Sequence, residues 1–342
     1  VVRIAVVGAG VVGLSVMYEL GRSGFEADCF DAGIPMGARS CGDCRIFRLA
    51  HDRPQMVALA HQAHRGWQDW SHAAGVRLVG DQGTVISGDI TTIAAAMGDA
   101  GAPFTVTDVA PTLPAAGPAG PFLHDVLGGV IQAAATGRFL LQQVGARVIH
   151  RAVTGVQVEG GTATVTLDDD RRTSYDSVLV VAGAATAGLM APLRVELPAR
   201  LEHHVRLTFR LRDAAATPPC WIDQSQSWRP DFTSYGQAPV AGRWAVGGHL
   251  PAVDTAWSLT RDQAADRARD WLTSYLREYV TGCETEILDT IHCDTPGLGD
   301  GVHSARVGPV LAVWGDNLFK FAPILGHQLA SAATTFGSWS SR

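Results

Sequence analysis

The sequence predicts an α/β protein with a second α+β domain built on an antiparallel sheet, and three observations carry this. An apolar β-branched strand leads into a glycine-rich turn and a helix at the N-terminus. A β-meander in the middle of the chain ends in a buried strand, and strand, glycine-bearing loop and helix recur near the C-terminus. The first stretch, Ile4 to Leu14, reads IAVVGAGVVGL and sets Gly8, Gly10 and Gly13 in the spacing GxGxxG between strand and helix. Gly8 permits the tight turn, Gly10 lets backbone N–H groups approach a pyrophosphate, and Gly13 lets helix and strand pack closely. The helix N-terminus adds positive potential. A second strand, Glu26 to Phe30, ends at Asp31, 18 residues beyond Gly13, a distance suited to an acid that hydrogen-bonds the ribose of an adenine dinucleotide. The first domain is therefore Rossmann-like, and the motif leaves open whether the dinucleotide is NAD, NADP or FAD.

The remaining elements follow in order. GIPMGARSCGDCRIFRLAHDRPQ reads as a loop running along the cofactor, and Met56 to Ala74 as an amphipathic helix. Short strands are expected at Val76 to Leu78 and Gly83 to Ile86, a helix around Thr92 to Gly98, and a surface loop over Pro111 to Pro121. Ile131 to Val144 reads as a helix and Arg147 to Ile149 as a strand. The meander that follows has turn signals at Glu159-Gly160-Gly161 and Asp168 to Arg172, and ends in the buried strand Val178 to Val181. Gly183 just past it can bring backbone close to a cofactor. Residues 195–294 are strand-rich: Leu201 to Leu211, Cys220 to Asp223, Arg243 to His249 and Glu284 to Cys293, with a helix from Arg261 to Tyr279. Val310 to Trp314, the loop GDNLFKFAPILG and a helix from His327 complete the chain.

The chain of 342 residues is long enough for two domains, and a net charge of −6 without a basic tract argues against nucleic acid and anionic membrane as partners. With no leader-like segment before the first strand and no apolar run near the ~18 residues of a membrane span, a soluble cytoplasmic protein is expected. Six cysteines in a chain of this size do not read as a disulfide framework, and no metal ligand set is expected. Lys320 is the only lysine among 27 basic residues. A site shaped for the compact lysine ammonium does not accept the wide arginine fork, so this one residue stands out.

Three separated features, GAGVVG with Asp31, GDCRIFR (Gly42 to Arg48) and FKF (Phe319 to Phe321) followed by Gly326, resemble the amine oxidase family of D-amino-acid oxidase, glycine oxidase and monomeric sarcosine oxidase, the last branch most closely. The resemblance implies FAD, bound across a discontinuous FAD-binding domain of residues 1–80, 128–198 and 297–342, with the flavin at the junction to a substrate domain of residues 81–127 and 199–296. It implies oxidation of the C–N bond of an amino or imino acid to an imine, with oxygen as acceptor giving hydrogen peroxide. By similarity, Gly8, Gly10, Val12, Gly13, Asp31, Ser40, Gly183, Gly315 and Phe319 hold the cofactor. Arg45 lies beside the flavin ring, where a fixed cation favours negative charge on the reduced ring. Arg48 and Lys320 hold the substrate carboxylate, Lys320 also touching the cofactor, and His249 accepts or relays a proton. Cys293 falls where the sarcosine oxidase branch ties FAD covalently, although Asp294-Thr295-Pro296 departs from the usual following residues.

Two further departures matter. The branch's oxygen-activating lysine is replaced by Ala245, and Cys41 and Cys44 place a CxxC beside the expected flavin. The alternatives are a flavin disulfide reductase using Cys41 and Cys44, a hydroxylase using NAD(P)H, to which Gly315-Asp316 also bears a likeness, or a non-catalytic flavoprotein. No second dinucleotide motif supports the first, and FKF suits the oxidase better than the second. Trp221, Trp228, Tyr235 and Trp244 crowd the segment expected to line the pocket, pointing to an aromatic or cyclic substrate or else to core packing.

Overall fold

The computed structural model describes residues 2–109, 111–115, 118–197, 201–298 and 301–335. Two compact units divide the chain: Val1–Cys41, Ala134–Leu201 and Thr295–Arg342 form the first, Gly42–Ala133 and Glu202–Asp294 the second. The division differs from the sequence expectation chiefly over residues 42–80 and 128–133, which fall in the second unit, with shifts of two or three residues at the other boundaries. The cause is a strand where a loop was expected: Cys44–Phe47 pairs antiparallel with Gly129–Gln132, Arg45 opposite Ile131.

In the first unit a six-stranded sheet runs in the order His303–Val307, Val310–Trp314, Ser177–Val180, Ile4–Val7, Ala27–Asp31, Val148–His150. Neighbouring strands are parallel except His303–Val307, which is antiparallel to Val310–Trp314. From Ile4–Val7 the chain steps to Ala27–Asp31 on one side, while Ser177–Val180 lies on the other. This is the reversal of strand order at which open α/β sheets leave a crevice beyond the strand ends. Helix Val11–Arg22 follows the first strand, and helix Ala322–Thr335 packs on it where Gly326 lies over Ser15. That last helix starts five residues before the expected His327, because Pro323 in its first turn costs no hydrogen bond there. The meander Val153–Glu159, Thr162–Leu167, Arg172–Tyr175 turns Val156, Val165 and Tyr175 into one core with Val178, Val180 and Ala312.

The second unit is built on an eight-stranded sheet in the order Cys283–Thr295, Glu202–Leu211, Arg243–His249, Thr233–Gln237, Cys220–Asp223, Thr84–Ser87, Phe122–Asp125, Phe104–Thr107. Cys220–Asp223 and Thr84–Ser87 run parallel, and the hairpin-type pairs around them antiparallel. Helix Arg261–Glu278 opens with a capping box, Thr260 accepting from the Gln263 N–H and the Gln263 side chain accepting from the Thr260 N–H. Its Leu272, Tyr275 and Leu276 join Trp221, Trp244 and Phe232 in the core. Trp228 packs edge-on against Phe232 with ring centroids 4.7 Å apart. Trp221, Trp228 and Trp244 are thus packing residues, and they give no sign of an aromatic substrate.

Helix Ala133–Val144 starts two residues later than expected, since Ile131 belongs to the strand before it. Val76 to Leu78 is not a strand, whereas Phe104–Thr107, Phe122–Asp125, Thr233–Gln237 and His303–Val307 are strands that periodicity did not mark. In the expected loop Pro111 to Pro121, residues 116 and 117 lie outside the described residues. Among the described residues no helix is long and apolar enough to cross a membrane.

A Cβ at Gly326 would lie 2.6 Å from Ser15 Cβ and 2.8 Å from the Ser15 carbonyl carbon, so the backbone of one helix must retreat. Gly326→Ala is expected to cost ~1–3 kcal/mol in thermal or denaturant unfolding. Gly98→Ala, in helix Thr91–Asp99 with nothing within 4 Å of the new Cβ, is expected to be neutral or to stabilise by up to ~1 kcal/mol.

Candidate functional site

The first unit contains a candidate dinucleotide cradle assembled from main chain. Gly8 has φ +107°, and a Cβ there would lie 2.6 Å from the Val181 carbonyl oxygen. A Cβ at Gly13 would lie 1.8 Å from the Gly8 carbonyl oxygen, so only glycine at both positions lets turn and helix close on the strand ends. Gly10 is the extended residue before helix Val11–Arg22, and its own Cβ would meet Ser40 Oγ at 3.2 Å. Ser40 Oγ accepts the Val11 N–H at 3.0 Å, fixing the loop against the helix start. Val12 is buried, and its amide belongs to the first turn, where no intrahelical acceptor exists.

Asp31 Oδ2 accepts the Ala9 N–H at 2.6 Å and Oδ1 the Gly33 N–H at 2.8 Å. Each oxygen keeps a further lone pair for a ribose hydroxyl. Gly183 stands at φ +58° just beyond Ser177–Val180, and a Cβ there would meet no atom within 4 Å, so its backbone faces open space. These features fit the adenosine and pyrophosphate of FAD: glycine backbone without side chains, helix-start amides and an acid at the end of the second strand.

Further along the same unit, Gly315 stands at φ +151° and its carbonyl accepts Arg39 Nη1 at 3.1 Å. Asp316 is buried and accepts Arg39 Nη2 at 2.7 Å, Thr295 Oγ1 at 2.6 Å and the Leu298 N–H at 2.7 Å. This carboxylate is a staple joining three segments, a role different from ribose binding and not visible in the sequence. Asn317, in left-handed conformation, then turns the chain into the short helix Leu318–Phe321, whose Phe319, Lys320 and Phe321 are all buried. Lys320 is 5% exposed, and its Nζ lies 5.4 Å from the centroid of the Phe321 ring.

The second unit holds Arg45, Arg48, His249 and Cys293. Arg45 Nη1 donates to the Cys44 carbonyl at 2.7 Å, and Arg206 Nη1 donates to the same oxygen at 2.8 Å. Two cations are thereby gathered on one neutral acceptor. Burial and then the neighbouring Arg206 push the Arg45 guanidinium below its ordinary pKa, while Cys293, Cys44 and Tyr235 act in the other direction. Gly42, at φ +94°, leaves room for both forks: its Cβ would lie 3.1 Å from Arg206 Nη2.

Tyr235 belongs to this group. Its phenol pairs with His204 Nε2 at 2.6 Å, with the rings stacked at 5.7 Å. Burial pushes the phenol up to about 12, against the pull of Arg206 and Arg45. A Cβ at Gly247 would lie 2.4 Å from Tyr235 Oη, so the glycine pair in RWAVGGH makes space for the hydroxyl.

Arg48 donates to the Ala50 carbonyl, and the loop around it is held by Asp125, which accepts the N–H groups of Leu49, Ala50 and Leu127. Burial pushes the Asp125 carboxyl up, opposed by those amides and by the charge of Arg48. His249 is exposed at the end of its strand, its Nδ1 2.9 Å from Thr233 Oγ1. Cys44 is buried, accepts Gln237 Nε2 at 3.4 Å and clusters with Cys220 and Ala245, and the six cysteines form no disulfide. Sequence reasoning missed Arg206, His204 and Asp125, and marked Tyr235 only as one of the aromatics expected to line the pocket. The one signal for two of them was the two-residue spacing of His204 and Arg206, which puts both on one face of a strand.

Residues 3–333 match the family described as DAO, FAD dependent oxidoreductase. No curated protein matches the sequence. The fold is similar to that of NikD, described as an unusual amino acid oxidase essential for nikkomycin biosynthesis, at 19% identity and TM-score 0.82 over 99% of this chain and 96% of that one. It is also similar to L-proline dehydrogenase from P. horikoshii, at 14% identity and TM-score 0.79 over 99% and 95%, and to glycine oxidase from Geobacillus kaustophilus, at 12% and 0.76 over 100% and 97%. With nearly its whole length matched and a cradle that fits the cofactor, the chain belongs to the DAO family of FAD dependent oxidoreductases.

Proposed function

We propose that this protein is an FAD-dependent oxidase of a small carboxylated amine, an amino or imino acid, acting in the manner of the sarcosine oxidase branch. The observation that carries the reading is the convergence of the Arg45 and Arg206 guanidinium groups on one carbonyl oxygen. Two cations held this close in the interior repel each other, and negative charge arriving beside them is stabilised without any rearrangement of the site. When bound, FAD supplies the two-electron chemistry that converts amine to imine and delivers the electrons to oxygen as hydrogen peroxide.

Gly8, Gly10, Val12, Gly13, Asp31 and Ser40 hold the adenosine end of the cofactor, and Gly183, Gly315, Phe319 and Lys320 complete its binding. Arg48 takes the substrate carboxylate with its planar fork and Lys320 takes it as a point charge. That orients the amine and sets its carbon for oxidation. Tyr235, whose phenol burial pushes up to about 12, is neutral at physiological pH. With His204 in the tautomer that donates from Nε2, the phenolic O–H is available to the substrate. His249, exposed and bonded to Thr233, exchanges the released proton with solvent. The dithiol alternative has little to support it, since Cys44 is buried and bonded to Gln237.

Three outcomes are expected. Lys320→Met should lower kcat/KM for a carboxylated amine by ~30-fold or more, the loss associated with removing one partner of a buried charge pair. Equal turnover by the variant in a peroxide-coupled assay would remove Lys320 from the substrate site. Acid precipitation of the holoenzyme should carry the yellow colour into the pellet, and Cys293→Ser should release it to the supernatant. Colour in the wild-type supernatant would mean that Cys293 forms no thioether. Arg206→Met should slow the reaction of dithionite-reduced holoenzyme with oxygen by ~10-fold or more in stopped flow, because Arg206 supplies the cation beside Cys44 where the branch has its lysine at the position of Ala245. An unchanged oxygen rate would assign that role elsewhere.

A further inference from the structure

We propose that His203 and His292, with Asp294, form a binding site for a divalent first-row transition ion. The site lies on the side of two neighbouring strands away from Arg45 and Arg206. In Glu202–Leu211 alternation sends His203 to one face and His204 and Arg206 to the other. The same alternation in Cys283–Thr295 puts His292 and Asp294 on one face and Cys293 on the opposite one. The contacts agree with this division. Cys293 acts electrostatically on Arg45 and Tyr235, while one potential ligand atom from each of His203, His292 and Asp294 lies within 4.8 Å of the other two.

The hydrogen bonding leaves two acceptor atoms facing each other. His203 Nε2 lies 2.9 Å from the Leu259 carbonyl, an acceptor, so this nitrogen carries the proton and Nδ1 keeps its lone pair. Nδ1 lies 2.8 Å from His292 Nε2, which must therefore donate to it. A neutral His292 then has no proton on Nδ1. That atom faces Asp294 Oδ1 at 3.8 Å, and both are buried atoms with no hydrogen-bond partner among the described residues. Two acceptors face each other, and none of those residues donates to either.

An ion held by His203 Nδ1 and His292 Nε2 resolves this. The His292 proton moves from Nε2 to Nδ1, where it is donated to Asp294, and no proton is lost overall. Each imidazole is then oriented by an acceptor on its far side, the Leu259 carbonyl for His203 and the Asp294 carboxylate for His292, the usual support of metal-bound histidine. Nitrogens 2.8 Å apart are near the separation of two cis ligands at metal bonds of about 2.0–2.1 Å with an angle of ~90°, and a turn of each ring brings both lone pairs onto the ion. The His203 ring is further fixed by Trp257, stacked at 4.8 Å. Arg261, 3.9 Å from Asp294 Oδ1, is a neighbouring cation and works against occupancy.

Zinc or nickel chloride titrated into EDTA-treated, FAD-loaded protein in a calorimeter should bind one ion per chain at this site and raise the unfolding temperature. His292→Gln and His203→Gln should each abolish that binding event while retaining flavin absorbance. Asp294→Asn should weaken it by ~10-fold or more, since the amide accepts the Nδ1–H less strongly. Absence of binding to the wild-type protein, or binding that survives in all three variants, would overturn the proposal and leave the cluster as a hydrogen-bond chain. A variant that loses flavin is replaced by His292→Asn, judged by the same titration.

Discussion

The close approach of main chain to main chain around Gly8 and Gly13 is the constraint on which the first unit depends. With only 1.8 Å between a Gly13 Cβ and the Gly8 carbonyl oxygen, no side chain is compatible with the way helix Val11–Arg22 sits on its strand. Because the helix sits there, the Ala9 amide reaches Asp31 and the Val11 amide reaches Ser40. The same economy of space recurs where Gly326 meets Ser15, so the last helix braces the first. Backbone geometry, with few polar side chains, shapes a place that suits a dinucleotide.

The second unit handles charge differently. Its buried carboxylates are mostly consumed by structure: Asp125 takes three backbone amides, and Asp223 takes Ser87, Ser225 and the Ser225 amide. Arg45 and Arg206 share a neutral carbonyl, so positive charge gathers at the very place where Tyr235 and Cys293 are found. A neutral Tyr235 phenol follows, because burial outweighs the pull of the two cations. The site is therefore cationic yet rich in protons that can be donated, a combination suited to anions and to reactions that develop negative charge.

The strand, glycine turn and helix of the candidate cradle were legible in the sequence because their parts are local: three glycines, a helix start and an acid one strand later. The sequence also marked the meander and most helices, whose periodicity is carried within single segments. It hid whatever depends on pairing over distance. Cys44–Phe47 looks like loop in the sequence, being short and flanked by glycine and charge, and its partner Gly129–Gln132 runs into a helical pattern that takes in Ile131 and Gln132. Arg206 and Tyr235 meet Arg45 only through that pairing and the order of the large sheet, and Asp125 gives no local sign that it will be buried under Arg48. The tryptophans misled for a related reason: aromatic residues next to a binding segment have the same composition whether they line a pocket or fill a core.

Strand Cys283–Thr295 carries two chemistries back to back, with Cys293 on the side of Arg45 and Tyr235 and with His292 and Asp294 on the side of His203. A shift of register by one residue would exchange them at a stroke, presenting imidazole and carboxylate to the cationic centre and a thiol to His203. Point changes along this strand are local in effect, whereas a single-residue insertion or deletion within it would invert both surfaces. Changes in chain length are therefore better tolerated in the turns on either side of it than within it.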